Sequence, residues 1–150
     1  MQVSLRVFYR NLQVKGIENI PANGPLIIVS NHPNTILDPI AIATTVKRKL
    51  YFIAKGSLFK SSFSRWVLPK INLIPVHRMQ DDPALMHENE STFQRCFEHL
   101  WHNGALLIFP EGISLNERKL KKIKTGTARI ALGAESLSKS PLGVKVVCIG

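Results

Sequence analysis

"PLIIVSNHPNTILDPIAIATTV", residues 25–46, decides the reading of the fold. Leu26 to Ser30 is a short apolar run rich in β-branched residues, the composition of a strand buried on both faces. Ile40 to Val46 is helix-compatible, and Asp38 with Pro39 suits an N-cap and a first helical residue. A strand that gives way so soon to a helix is half of a strand–helix–strand unit. Working outward shows whether the unit repeats.

It does. Tyr51 to Ala54 is a second apolar run, followed by Phe59, Phe63, Trp66 and Val67 at helical spacing, and Leu73 to Val76 reads as a third strand. Asp82 and Pro83 open a helix that runs to about His102, because Phe93, Cys96, Phe97, Leu100 and Trp101 fall at i, i+3, i+4, i+7 and i+8, and Gly104 suits its stop. Ala105 to Phe109 is a fourth strand, a helix follows from about Thr125 to Leu137, and Val144 to Ile149 is the last strand. Gln13 and Val14 are a candidate edge strand. Strands alternating with helices predict an α/β fold with a mainly parallel central sheet covered by helices, in a single domain spanning 1–150.

The totals agree with a globular domain. Hydrophobic residues make up 45% of the chain and charged ones 20%, which excludes a disordered chain. Twenty Lys and Arg against ten Asp and Glu leave a net charge of +10, which favours an anionic membrane surface, a polyanion or phosphorylated small molecules. No recognised RNA or DNA motif accompanies that charge, so nucleic acid is not an expected partner. Cys96 and Cys148 form neither a disulfide framework nor a paired metal-ligand motif, and a reducing compartment fits them. No signal-peptide core is visible, and no run approaches the roughly 18 apolar residues of a membrane span. The expected location is therefore cytoplasmic, with any membrane contact peripheral.

In open α/β sheets ligands bind beyond the carboxyl ends of the strands. Three of the strand ends deliver polar residues: Asn31 and His32 after LIIVS, His77 and Arg78 after LIPV, and Glu111 after ALLIF. Parallel strands bring all three to one edge.

His32 and Asp38 are six positions apart, about 240° around a regular helix, so one helical face cannot hold both. Each precedes a proline, which biases it away from helical geometry, and a turn folding back onto a helix start at Pro39 brings the carboxylate to the imidazole. Chemistry uses such a pair to make a nucleophile of a hydroxyl: the neutral ring takes the proton, while the carboxylate fixes the tautomer and stabilises the imidazolium. No G-x-S-x-G motif supplies a protein nucleophile, so the hydroxyl belongs to the substrate. The bland alternative is a helix cap beside a turn histidine. In "IFPEGISLNERKLKKIKTG", residues 108–126, Pro110 holds Glu111 in a rigid turn at the sheet edge, and Gly112 allows a ligand close approach. A plain turn explains Pro-Glu-Gly equally well.

"NHPNTILD" and "FPEG", about eighty residues apart with "IPVHR" between them, resemble the sequence blocks of the glycerolipid acyltransferases, which acylate glycerol-3-phosphate and 1-acylglycerol-3-phosphate. The resemblance runs from about Val14 to Gly150. It implies acyl transfer from acyl-CoA or acyl-carrier protein to a hydroxyl of glycerol-3-phosphate or a lysophospholipid, at a membrane surface, with no metal, cofactor or covalent intermediate. His32 would be the base and Asp38 its partner, with Asn31 beside them. Glu111 and Gly112 would belong to the acceptor-binding block and Arg78 to the block that holds the acceptor's phosphate. The pattern departs from the family in three places. Five residues separate His32 from Asp38 where four are common, Ile113 and Ser114 follow FPEG in place of Thr-Arg, and "VKVVCIG" opens a last block that ends at Gly150. The resemblance thus implies a domain lacking its C-terminal part. The alternative is a non-catalytic module that binds anionic lipid or phosphorylated ligands with the same basic surface.

Arg118, Lys119, Lys121, Lys122 and Lys124 precede Thr125 and Gly126. A helix starting at Thr125 points free N–H groups toward Lys124, which together suit a phosphate; the other four cations read equally as a solvated loop. Residues 57–70, SLFKSSFSRWVLPK, alternate Phe59, Phe63, Trp66 and Val67 with Lys60 and Arg65, a pattern of an interfacial segment, although core packing is its more frequent origin. His99 and His102 read as surface residues rather than zinc ligands. His77 reads as a strand-end residue.

Overall fold

The computed structural model describes residues 13–32, 34, 37–77, 89–112 and 121–150. Its elements are β1 (Leu26–Ser30), α1 (Leu37–Thr45), β2 (Leu50–Lys55), α2 (Ser62–Val67), β3 (Leu73–Val76), α3 (Asn89–Trp101), β4 (Ala105–Ile108), α4 (Gly126–Ser136) and β5 (Lys145–Ile149). Short 3-10 turns occupy Ile17–Asn19, Gly56–Phe59 and Leu68–Ile71. The five strands form one sheet in the order β3-β2-β4-β1-β5, and every pairing is parallel.

Strand β1 lies inside the sheet, with Leu26 opposite both Ala105 of β4 and Lys145 of β5. Alternating side chains then feed two separate cores. Ile27, Leu106 and Ile108 pack with Cys96, Phe97 and Leu100 of α3 and with Ile130 and Ala134 of α4. Leu26, Ile28 and Leu107 point the other way, onto Val46 at the end of α1, with Ile42 and Phe109 alongside. The even and odd residues of LIIVS are both buried because helices cover both faces. Leu26, Ile27, Ile28, Leu100, Leu106, Leu107 and Ile130 are fully buried, each contributing about 1.5–3 kcal/mol of apolar burial.

The order of the strands places the site. Leaving β1 the chain steps toward β2, and leaving β4 it steps toward β5. Those steps run in opposite directions on opposite faces, as a single crossover hand requires. Since β1 and β4 are neighbours, a crevice opens between their carboxyl ends, the switch point where open α/β sheets take ligands.

Several elements differ from the sequence reading. Residues 13–16 adopt no regular structure, so β3 and β5 are the edges and Gln13 and Val14 add no strand. Helix α1 begins at Leu37, not at Pro39. The Asn34 side-chain oxygen accepts from the Leu37 N–H at 3.1 Å, doing the capping expected of Asp38, and Pro39 falls in the first turn, where its missing N–H costs little. The segment after β2 is not one helix but a turn, the six-residue α2 and a second turn. Helix α3 is described from Asn89; the expected opening at Asp82 and Pro83 lies outside the described residues. At its end Asn103 takes the left-handed conformation, φ 57°, and Gly104 is needed for space, since a Cβ there would lie 2.3 Å from the His99 ring.

Candidate active site

His32 stands two residues beyond β1 and Asp38 in the first turn of α1. The turn between them closes by hydrogen bonds. The Asn34 N–H donates to Asp38 Oδ2 at 2.7 Å, the Asp38 N–H donates to the Asn34 carbonyl at 3.3 Å, and His32 Nδ1 lies 3.2 Å from the same Oδ2. One carboxylate oxygen therefore ties the imidazole to the turn that presents it. Neither side chain is sealed from solvent, at 13% and 19% exposed. With Nδ1–H donated to the carboxylate, Nε2 is the ring nitrogen that carries the lone pair.

Phe109 supplies the third constraint. Its ring stacks on that of His32, centroids 3.9 Å apart and planes 17° from parallel. It follows the last residue of β4 and continues the alternation of Ala105 and Leu107 onto the α1 face, so the sheet itself delivers it under His32. Residue type alone did not mark Phe109, nor Asn34; the parity of ALLIF and the Asn at the start of an Asn-x-x-Leu helix opening were the available signals.

Next comes the turn with Glu111. The Gly112 N–H donates to the Phe109 carbonyl at 3.1 Å, and Gly112 takes φ 68°, a region that disfavours side chains. Glu111 is buried, 6% exposed. Lys124 returns to this turn from the far side of residues 113–120. Its N–H donates to the Pro110 carbonyl at 2.9 Å, and its ammonium lies against Gly112 so closely that a Cβ there would sit 2.9 Å from Nζ. Gly112 thus admits both the turn and the lysine. Helix α4 begins two residues on; among the described residues no side chain caps its first turn and none partners the buried Thr127 hydroxyl.

Of the sequence-derived candidates, the structure brings His32 and Asp38 together and sets Gly112 and Lys124 in contact, with Glu111 buried in the same turn as Gly112. Asn31, exposed at the end of β1, adjoins His32. Arg78, Arg118 and Lys119 lie outside the described residues. His77 ends β3 held on both sides by Asn89, whose amide accepts from the His77 N–H and donates to its carbonyl, each at 2.8 Å. Its ring lies over Gly56, where a Cβ would meet it at 2.7 Å. His99 is not a surface residue: it is half-buried against Tyr51, ring centroids 4.0 Å apart, and burial holds its pKa below the ordinary value against an opposing hydrogen bond to Ala105. His102 is exposed.

A parallel doubly wound sheet with a histidine and an aspartate joined at its switch point narrows the class, and the family comparison states it: the acyltransferase family profile matches residues 11–150. The chain belongs to the acyltransferase family. Among its relatives, glycerol-3-phosphate O-acyltransferase 1 of Saccharomyces cerevisiae is 41% identical over 228 aligned positions, covering 95% of this chain and 30% of that protein. The 1-acyl-sn-glycerol-3-phosphate acyltransferase of Borreliella burgdorferi is 27% identical over 132 positions, covering 88% of this chain and 50% of that protein. The chain therefore spans half or less of the length of either relative. The crystal structure of PlsC, the 1-acyl-sn-glycerophosphate acyltransferase of Thermotoga maritima, shares the fold with a TM-score of 0.57 at 21% identity, covering 89% of this chain and 56% of that one.

Proposed function

We propose that this domain carries the catalytic centre of a glycerolipid O-acyltransferase, with glycerol-3-phosphate as acceptor and a fatty acyl thioester, on coenzyme A or acyl-carrier protein, as donor. The observation that carries the reading is the 3.2 Å contact between His32 Nδ1 and Asp38 Oδ2 at the carboxyl edge of the sheet. Glycerol-3-phosphate is the acceptor named for the yeast relative at 41% identity, against 27% for the lysophosphatidate-type relative.

In this mechanism His32 Nε2 takes the proton of the glycerol hydroxyl as its oxygen attacks the thioester carbonyl. Asp38 stabilises the imidazolium that results. Backbone N–H groups at the sheet edge stabilise the oxyanion. Collapse breaks the C–S bond, and the imidazolium returns its proton to the leaving thiolate, so ester and thiol are the products and His32 is regenerated. Lys124 and Arg78 bind the acceptor's phosphate, Lys124 with help from the open N-terminus of α4. Glu111, Gly112 and Asn31 shape the acceptor pocket. No cofactor takes part.

The domain acts peripherally on the cytoplasmic side of a membrane. Among the described residues no helix is long and apolar enough to cross one. A non-catalytic anionic-lipid module has no need of an oriented imidazole, which is why the catalytic reading is preferred. The test is thioester consumption, with the acyl product identified by mass, across glycerol-3-phosphate, dihydroxyacetone phosphate and lysophosphatidate as acceptors and both carriers as donors. Transfer to glycerol-3-phosphate at the highest kcat/KM is the expected result. Transfer to none of the acceptors refutes the catalytic reading, and preference for lysophosphatidate refutes the acceptor assignment.

A further inference from the structure

The connection from β2 to β3 concentrates exposed apolar side chains in a short stretch. No residue of α2 or of the turn Leu68–Ile71 is buried, yet the segment is rich in large apolar side chains. Leu58, Phe63, Trp66 and Ile71 are 54%, 73%, 63% and 53% exposed, four of the ten exposed large apolar residues among the described residues. Phe63 and Trp66, three apart on α2, share a helical face. Core packing, the commoner origin of such spacing, does not account for them.

Cations ring these residues. Lys60, Arg65 and Lys70 are exposed, and Lys70 Nζ sits 3.2 Å from the centroid of the Trp66 ring. Residues 39–80 contain eight Lys and Arg and no acid, so this stretch alone carries eight of the ten net positive charges. Aromatic rings with cations beside them are the composition of a segment that sits at headgroup depth.

We propose that residues 57–71 are the docking surface by which the protein rests on an anionic bilayer. Charge complementarity selects this occupant. A second copy applied to the same face would set Lys60, Arg65 and Lys70 against their own equivalents, and a nucleic acid has no use for the exposed Leu58, Phe63 and Ile71. The segment leaves β2 at the carboxyl edge, where Gly56 packs beneath the His77 ring, so a bilayer seated here lies beside the edge that carries His32 and Glu111. The inference deepens the proposed acyl transfer and rests on it for its purpose, since it gives the site direct access to membrane lipid; the contact itself is measured without turnover.

The experiment is sedimentation of the protein with vesicles of phosphatidylcholine alone and of equal parts phosphatidylcholine and phosphatidylglycerol, together with tryptophan emission. The protein is expected to partition onto the mixed vesicles and much less onto the neutral ones, with a blue shift that Trp66→Phe abolishes. Phe63→Ser with Trp66→Ser lowers partitioning on the order of tenfold or more, as two large apolar side chains lose their burial in lipid. Lys60→Glu with Arg65→Glu and Lys70→Glu lowers it on the order of a hundredfold or more, at about fivefold for each cation removed. Raising salt from about 0.1 M to about 1 M weakens wild-type binding through screening. Vesicle binding by either variant within about twofold of wild type overturns the proposal. So does a change of oligomeric mass in Phe63→Ser/Trp66→Ser with vesicle binding intact, which assigns the face to a second copy. Acyl transfer to glycerol-3-phosphate from a short-chain thioester without vesicles is the separating control. Both variants keep wild-type kcat there, and a wild-type protein inactive in that assay refutes the acyl-transfer reading while leaving the docking result to stand or fall by itself.

Discussion

Phe109 offers a graded test of how the imidazole is held. Its ring covers that of His32 at 3.9 Å, 17° from parallel, while Asp38 holds only one edge of the imidazole, through Nδ1. A carboxylate at 3.2 Å fixes one point of the ring. Stacking restrains rotation of the ring plane about that point. Phe109→Leu keeps an apolar side chain against Ile28 and Leu107 but removes the π-face. An aromatic pair contributes about 0.5–1.5 kcal/mol beyond its area, which corresponds to between about 2-fold and about 12-fold in rate at about 1.4 kcal/mol per decade. The expectation is therefore a fall in kcat within that window, unchanged KM for glycerol-3-phosphate, and a small loss of stability, since Phe109 is half-buried. The assay is steady-state thioester consumption at saturating acceptor, with denaturant midpoints measured in parallel. An unchanged kcat refutes the idea that stacking orients the base. A loss as large as that of His32→Ala would show that Phe109 does more than orient.

Three further outcomes follow from the packing. Gly133→Ala adds a good helix former to α4, a gain of about 1 kcal/mol in an open helix, but its Cβ would lie 2.5 Å from Phe97 Cζ; overpacking costs about 1–3 kcal/mol, so denaturant unfolding should show net destabilisation. Burial pushes the Cys96 thiol up to about 12 while Cys148 is exposed, so a disulfide reagent at pH 8 modifies one thiol in the native protein and two in denaturant. The Glu135 carboxyl is held below its ordinary pKa by the Val144 N–H and then the Leu142 N–H, so its stabilisation is present above about pH 4.3, the unfolded value, and is lost as pH falls through the lower folded value. In Glu135→Gln the denaturant midpoint should fall less steeply on acidification, and an unaltered acid limb would remove Glu135 from the α4–β5 junction.

Much of the fold was legible because the apolar runs are short, dense and regularly spaced. LIIVS, LIPV and ALLI each became a strand, and their alternation with helices required parallel pairing. The spacing of Phe93, Cys96, Phe97, Leu100 and Trp101 marked α3 because three of them, Cys96, Phe97 and Leu100, are buried against the sheet. The same reasoning overreached at residues 57–70, where helical spacing of aromatic residues reflected no buried face. The start of α1 was misplaced because a side-chain cap from Asn34 outweighs the bias of a residue preceding proline, and local propensity does not rank those two effects. In the site, the approach of His32 to Asp38 could be argued from the two prolines. The stack of Phe109 and the seat of Lys124 on Gly112 could not, because they join segments 77 and 12 residues apart, and only the strand order makes β1 and β4 neighbours.

The central claim is that His32 is the base and that Asp38 acts through it, and a double-mutant cycle on kcat for glycerol-3-phosphate acylation tests it most directly. His32→Ala should lower kcat by about 10²–10⁴, and Asp38→Asn should lower it by less. Combining them should cost no more than His32→Ala alone, because a positioning residue has nothing left to position. Additive losses in the double variant, or normal turnover in His32→Ala, would contradict the account.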